Sequence, residues 1–187
     1  MPSEPRLRGA VLLDQIAYIT KTHGPAVVRR AKQTMASDDR RTIEETLPIS
    51  WLSVPTVTRF KSAIAAELGE DPVAFNRRLV RASIGNTIST IWRALLSQLW
   101  DSAVVKRTPI LYSKAFDRGK LELRVLEKRH AEFVLSGWPD MPEFDCAGMA
   151  AAMEALLEYA GRGTTTVRWR REPLIVVFDA TWRPSAQ

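Results

Sequence analysis

Cysteine occurs once, at Cys146, and histidine twice, at His23 and His130. One thiol excludes an internal disulfide and any metal site built from several cysteines. The two histidines have no partner three or four residues away, so no metal site is expected. Long apolar runs are missing too: none approaches the ~20 residues that a membrane-spanning helix requires. The opening residues, MPSEPRLRG, carry no apolar segment after their charges, which speaks against a secretory signal. There is no glycine-rich phosphate loop and no Gly-x-Ser-x-Gly elbow. These absences point to a cytoplasmic, non-enzymatic protein without a cofactor. Cys146, near the start of an expected helix, reads as a small core residue in preference to a nucleophile.

What is present fits one globular domain. The 187 residues are 45% hydrophobic and 26% charged, enough for a full core. Residues 1–8 and 184–187 read as flexible ends around a domain spanning 9–183. A first helix over about 10–22 places Leu12, Ile16 and Ile19 on one stripe and stops at Gly24. Pro25 opens a second helix, and Ser37 is expected to cap a third. LPISWLSVP (47–55) reads as a connector. One longer helix covers 56–68 and stops at Gly69; the next runs from Asp71–Pro72 towards Leu99, with its stripe at Ile84, Ile88, Ile91, Leu95 and Leu99. A short helix at 108–117 follows.

At Gly119 the period changes from helical to two-residue. Leu121, Leu123 and Val125 alternate with more polar neighbours, and 131–136 forms the hairpin partner across Glu127–Lys128–Arg129. Asp145 is expected to cap a helix over 146–160, with Met149, Met153, Leu156 and Leu157 inward. A second hairpin closes the chain, turning at Pro173. Its LIVVF run (174–178) suits a strand covered on both faces. The fold class is therefore α+β: N-terminal helices packed with a small twisted antiparallel sheet of two hairpins separated by a helix.

A net charge of +6 and a pI near 9.8 raise nucleic acid as a partner. The segment 63–81 has the outline of a helix-turn-helix, with Arg77, Arg78 and Arg81 as the contacts it would use. Glycine followed by Asp-Pro is also the ordinary way to end one helix and start another, so this stands as the alternative reading. The leading one is a non-enzymatic binding module, for a small apolar ligand or a partner protein. Ile88, Ile91, Trp92 and Leu95, with Tyr112, Phe116, Leu123 and Phe133 at the helix-to-sheet junction, could line a space for a small apolar ligand.

The segments RGAVLLDQIAYITKTHG, LPISWLSVPTVTRFKSAIAAELGEDP, RTPILYSKAFDRGKLEL and FDCAGMAAAMEALLEYAG carry a resemblance. In order and spacing they resemble a myxobacterial family similar to the 4-vinyl-reductase domain. More distantly, that family is similar to haem-NO-binding sensors and Bet3-type TRAPP subunits. The resemblance implies a twisted antiparallel sheet flanked by helices, an apolar cavity in some members, and a sensing or protein-docking role in signalling. It also implies a homodimer, which six tryptophans support from composition. Vinyl-reductase-type domains carry cysteines around their last hairpin, and VRWRREPLIVVF has none, so no metal is expected there. Haem sensors use a proximal histidine with Tyr-x-Ser-x-Arg; YSKAF does not supply it, so haem is not expected.

Overall fold

The computed structural model describes residues 4–87, 101–160 and 163–183. Strand β1 (Arg6–Arg8) leads directly into helix α1 (Gly9–His23). Leu12 and Ile19 are buried on α1 and Ile16 is half-buried beside them. Helix α2 (Pro25–Thr34) starts on its proline. Helix α3 (Ser37–Glu44) has Ala36 as its N-cap and no side-chain cap, so the expected Ser37 cap is not made. Asp38 and Asp39 in its first turn supply the negative charge that a helix N-terminus favours.

Two short strands were missed. Arg6–Arg8, expected to fray, pairs antiparallel with β2 (Trp51–Ser53), which lies in the expected connector. Leu7 and Leu52 face each other at the centre and both are buried. Three residues are too few to display a period, which hid this pair. Helix α4 (Val54–Leu68) follows, with Ser53 Oγ accepting from the Thr56 amide at 3.4 Å and Gly69 as its left-handed stop. Helix α5 (Pro72–Thr87) comes next. Its expected continuation to Leu99, including Ile88, Ile91, Trp92 and Leu95, lies outside the described residues. Helix α6 (Asp101–Ala115) is longer than expected and holds Pro109 inside it.

Gly119 makes the handover to the sheet. Its φ is 79°, and a Cβ there would lie 2.8 Å from Leu135 Cδ1 and 2.9 Å from the Tyr112 hydroxyl. Only glycine meets both conditions. Four strands follow: β3 (Lys120–Glu127), β4 (His130–Ser136), β5 (Thr165–Glu172) and β6 (Ile175–Trp182). They are antiparallel in the order β3-β4-β6-β5, so the two hairpins join through β4 and β6. Central β6 buries Val176, Val177 and Phe178 in succession, as a strand covered on both faces should.

Helix α7 (Glu143–Tyr159) connects the hairpins and packs along α5 and against β5. Pro142 is its N-cap; Asp145 caps nothing and points elsewhere. On the sheet side, Glu154 Oε1 accepts from the Val167 amide at 2.9 Å and Glu158 Oε1 from the Thr165 amide at 3.0 Å. Edge strand β5 thus has outward donors satisfied by helix side chains, which blunts an otherwise exposed edge. The architecture is α+β, with a helical N-terminal half and a sheet at the C-terminal end. No helix among the described residues is long and apolar enough to cross a membrane.

An apolar cavity as the candidate functional site

Helices α1, α4, α5, α6 and α7 line a partly open cavity of about 460 Å³, with β1 along one side. Leu7, Val11, Val57, Val80, Met149 and Met153 give it an apolar wall. Tyr112 and Phe116 complete that wall from the helix-to-sheet junction; their rings stack at 5.2 Å, and Phe116 meets Trp138 at 5.9 Å. The Tyr112 hydroxyl is engaged, donating to Arg118 O at 2.5 Å. Two of the expected pocket residues are therefore in place. Leu123 and Phe133 are not: Phe133 is fully buried within the sheet core and Leu123, opposite it in register, packs against the same core. The sheet residue that reaches the cavity is Leu121.

Several polar side chains, none expected as site residues, also line this apolar space, and four of them bear on its chemistry. Lys61 comes from the middle of α4, on the stripe it shares with Val57 and Ile64, and is 6% exposed. Its Nζ donates to Asn76 Oδ1 at 3.1 Å, and Asn76 Nδ2 donates onward to Phe144 O at 2.8 Å. Gly148 makes room for that bridge, because a Cβ there would lie 2.7 Å from Asn76 Nδ2. Asp145 and Gln15 bring the other two groups, and Asp145 Oδ2 and Gln15 Oε1 are both buried without a hydrogen-bond partner.

Burial dominates the electrostatics. It pushes the Lys61 ammonium down to about 8, with the Asp145 charge opposing. It likewise pushes the Asp145 carboxyl up to about 6, with Lys61 opposing. The two groups feel each other's charge without forming an ion pair. An apolar space with a buried amine and two idle acceptors is built to receive something polar at one end. A second hollow, on the surface among α1, α2 and α3, is lined by Arg29, Lys32, Arg40 and Glu44 and opens to solvent.

The arginines of the nucleic-acid alternative are paired within the fold. Arg77 pairs with Glu154 at 2.5 Å, Arg78 with Glu70 at 2.6 Å, and Arg81 with Glu154 and Glu158 at 3.0 and 2.6 Å. These guanidiniums tie α5 to α7 and to its own start, and α5 lies packed along α7 instead of standing free for a groove. The tryptophan support for a homodimer also thins: Trp138 and Trp182 are buried, and Trp51 and Trp169 lie half-buried under Arg8 and Arg171.

Cys146 is 0% exposed, its thiol 3.6 Å from Met141 O, and burial pushes it up to about 11 against the opposing Arg171 charge. Iodoacetamide at pH 7.5 should therefore alkylate the native protein about a hundredfold more slowly than the urea-unfolded chain. An intact-mass time course checks this; comparable rates would refute the core assignment.

No protein-family model and no curated protein matches the sequence. Solved structures do match, and H-NOX proteins are among them. One, from S. oneidensis in the Fe(II)NO ligation state, is 8% identical with a TM-score of 0.72, covering 95% of this chain and 99% of that one. Another, an oxygen-binding H-NOX domain related to soluble guanylate cyclases, is 10% identical with a TM-score of 0.65 over 97% and 98% of the two chains. The Fe(II) unliganded H-NOX protein from K. algicida is 9% identical with a TM-score of 0.63, over 97% and 99%. A haem held through histidine or cysteine does not fit this cavity. His23 ends α1, His130 lies in β4 with Nε2 3.3 Å from Asp179 Oδ1, and Cys146 is turned to Met141; none of them lines the space. At this identity the likeness is one of fold: the chain has the H-NOX architecture.

Proposed function

We propose that the protein is a non-enzymatic sensing module whose cavity takes a small, largely apolar ligand with a hydrogen-bond-donating end. One observation carries the reading: an apolar space of about 460 Å³ holds two buried acceptors, Gln15 Oε1 and Asp145 Oδ2, that have no donor. A buried acceptor left idle costs about 1–3 kcal/mol, so a ligand O–H or N–H placed there gains directly. The volume lies within the range that small-molecule sites occupy. The shared fold with oxygen-binding and Fe(II)NO H-NOX proteins supports a sensing role in signalling.

Thermal denaturation with 1-decanol, whose hydroxyl supplies the missing donor, tests it. At about a hundredfold over Kd, binding adds ~2.7 kcal/mol, a rise of roughly 5–10 °C in a chain of this length. Ala152 lines the cavity, and Ala152→Phe should abolish the rise by filling the space. A wild-type melting temperature unmoved by decanol and by shorter and longer alcohols would overturn the reading.

A further inference from the structure

A lysine amine buried in an apolar space is a nucleophile in waiting, because desolvation favours its neutral form. Lys61 is held for that use. Its acceptor Asn76 is fixed in turn by the bond to Phe144 O, so the amine cannot swing freely towards solvent. The Phe144 ring centre lies 6.0 Å from Nζ. With its value brought to about 8, the amine is neutral for a useful fraction of the time near neutral pH. Asp145 decides which ligand chemistry suits it. A ligand carboxylate would share the space with the Asp145 carboxylate and leave a net negative charge buried. A carbonyl compound brings no charge. Its condensation with Lys61 yields a cation on the same nitrogen, which the idle Asp145 oxygen can face.

Resting on the reading that the cavity holds an apolar ligand, we propose that Lys61 captures an apolar aldehyde there as an imine. The Nζ lone pair bonds to the carbonyl carbon, and the carbonyl π pair moves to oxygen. That oxygen leaves as water, taking both amine hydrogens as the C–O bond breaks and the C=N bond forms. A proton passed from Asp145 in its acid form rests on the imine nitrogen, leaving iminium opposite carboxylate. Nothing is oxidised or reduced, and the step reverses by addition of water. Asn76 holds the amine in line.

The intact protein is incubated with decanal, reduced with sodium cyanoborohydride, and mapped by peptide mass spectrometry. One decyl group is expected on Lys61, with occupancy at least about tenfold above any other lysine, including Lys114 at the cavity edge. An excess of 1-decanol should suppress it. Lys61→Arg keeps the charge but cannot form an imine, so it should lose the adduct. If that variant does not fold, the wild-type map alone decides. Decyl groups spread over surface lysines, with Lys61 bare and the decanol shift intact, overturn the imine and leave the sensing reading standing. A bare Lys61 together with no decanol shift overturns both.

Discussion

Lys61→Met combined with Asp145→Leu is expected to stabilise the empty protein at pH 7, by about 2–4 kcal/mol or roughly 5–10 °C in melting temperature. Both groups are held away from water without pairing to each other, and Asp145 Oδ2 has no donor. Apolar replacements of similar length remove these penalties and extend the existing wall. The same pair shapes the response to pH. Burial raises Asp145 from 3.8 to about 6, so between those values the folded protein holds a proton that the unfolded chain releases. Stability therefore falls as pH climbs from about 4 to 6. Burial lowers Lys61 from 10.5 to about 8, so between those values the unfolded chain holds the extra proton. Stability contributed by this group rises as pH climbs from about 8 to 10.5. The double variant should lose both slopes, while Lys61→Met alone should extend the acidic one to higher pH by removing the compensating charge. Melting curves across pH 4–10 provide the check. A double variant that melts below the parent would show that the amine and carboxyl are structural supports.

Gly9→Ala is expected to be the most damaging single methyl group in the helical half. A Cβ at Gly9 would lie 2.1 Å from Leu47 O and 3.0 Å from Thr46 Cγ2. The first of these is backbone, so no rotamer change relieves it. The start of α1 rests on this turn through Gly9 N to Ser50 O at 2.8 Å and Ala10 N to Pro48 O at 3.1 Å. Pushing α1 away loosens both bonds, each worth about 1–3 kcal/mol when a buried group is left unmet. Alanine returns only about 1 kcal/mol in helix propensity. The net loss is about 3 kcal/mol or more, to be read from urea denaturation. Gly69→Ala is the useful contrast. That position has φ 68° with nothing within 4 Å of a new Cβ, so it pays only backbone strain of about 1–2 kcal/mol. A Gly9→Ala loss no larger than that would mean the 46–50 turn yields easily.

The change at Gly119 was legible because two long patterns of different period meet there, and Gly24, Pro25 and Gly69 mark their boundaries by backbone chemistry. The β1–β2 pair was not, since three residues carry no period and pairing partners 45 residues apart leave no local trace. Tyr112 and Phe116 could be placed at the cavity from their position beside the junction. Phe133 and Leu123 could not be separated from the core, because alternation says which face of a strand is buried but not what covers it. The polar cluster did leave a signal. Gln15 sits between Leu12 and Ile19, Lys61 between Val57 and Ile64, and Asn76 between Phe75 and Leu79, each a polar residue on an apolar stripe. Three such interruptions on three helices mark a shared interior space. Asp145 was hidden by its position near a helix start, where an acidic residue is ordinarily explained as a cap.

Strand β1 has a consequence for how the molecule is made. Leu7 bridges to Phe116, Arg6 N donates to Asp117 Oδ1 at 2.7 Å, and Asp117 N donates back to Arg6 O at 3.2 Å, across 111 residues of chain. Leu7 and Phe116 are also neighbours on the cavity wall. At ~5–20 residues per second of synthesis, the first half of this clasp waits on the order of 5–20 s for the second to appear. Through that interval Leu7, Val11 and Val57 have no α6 to pack against. Met149 and Met153 of α7 are translated later still, so the cavity wall is completed only after both halves of the clasp have been made.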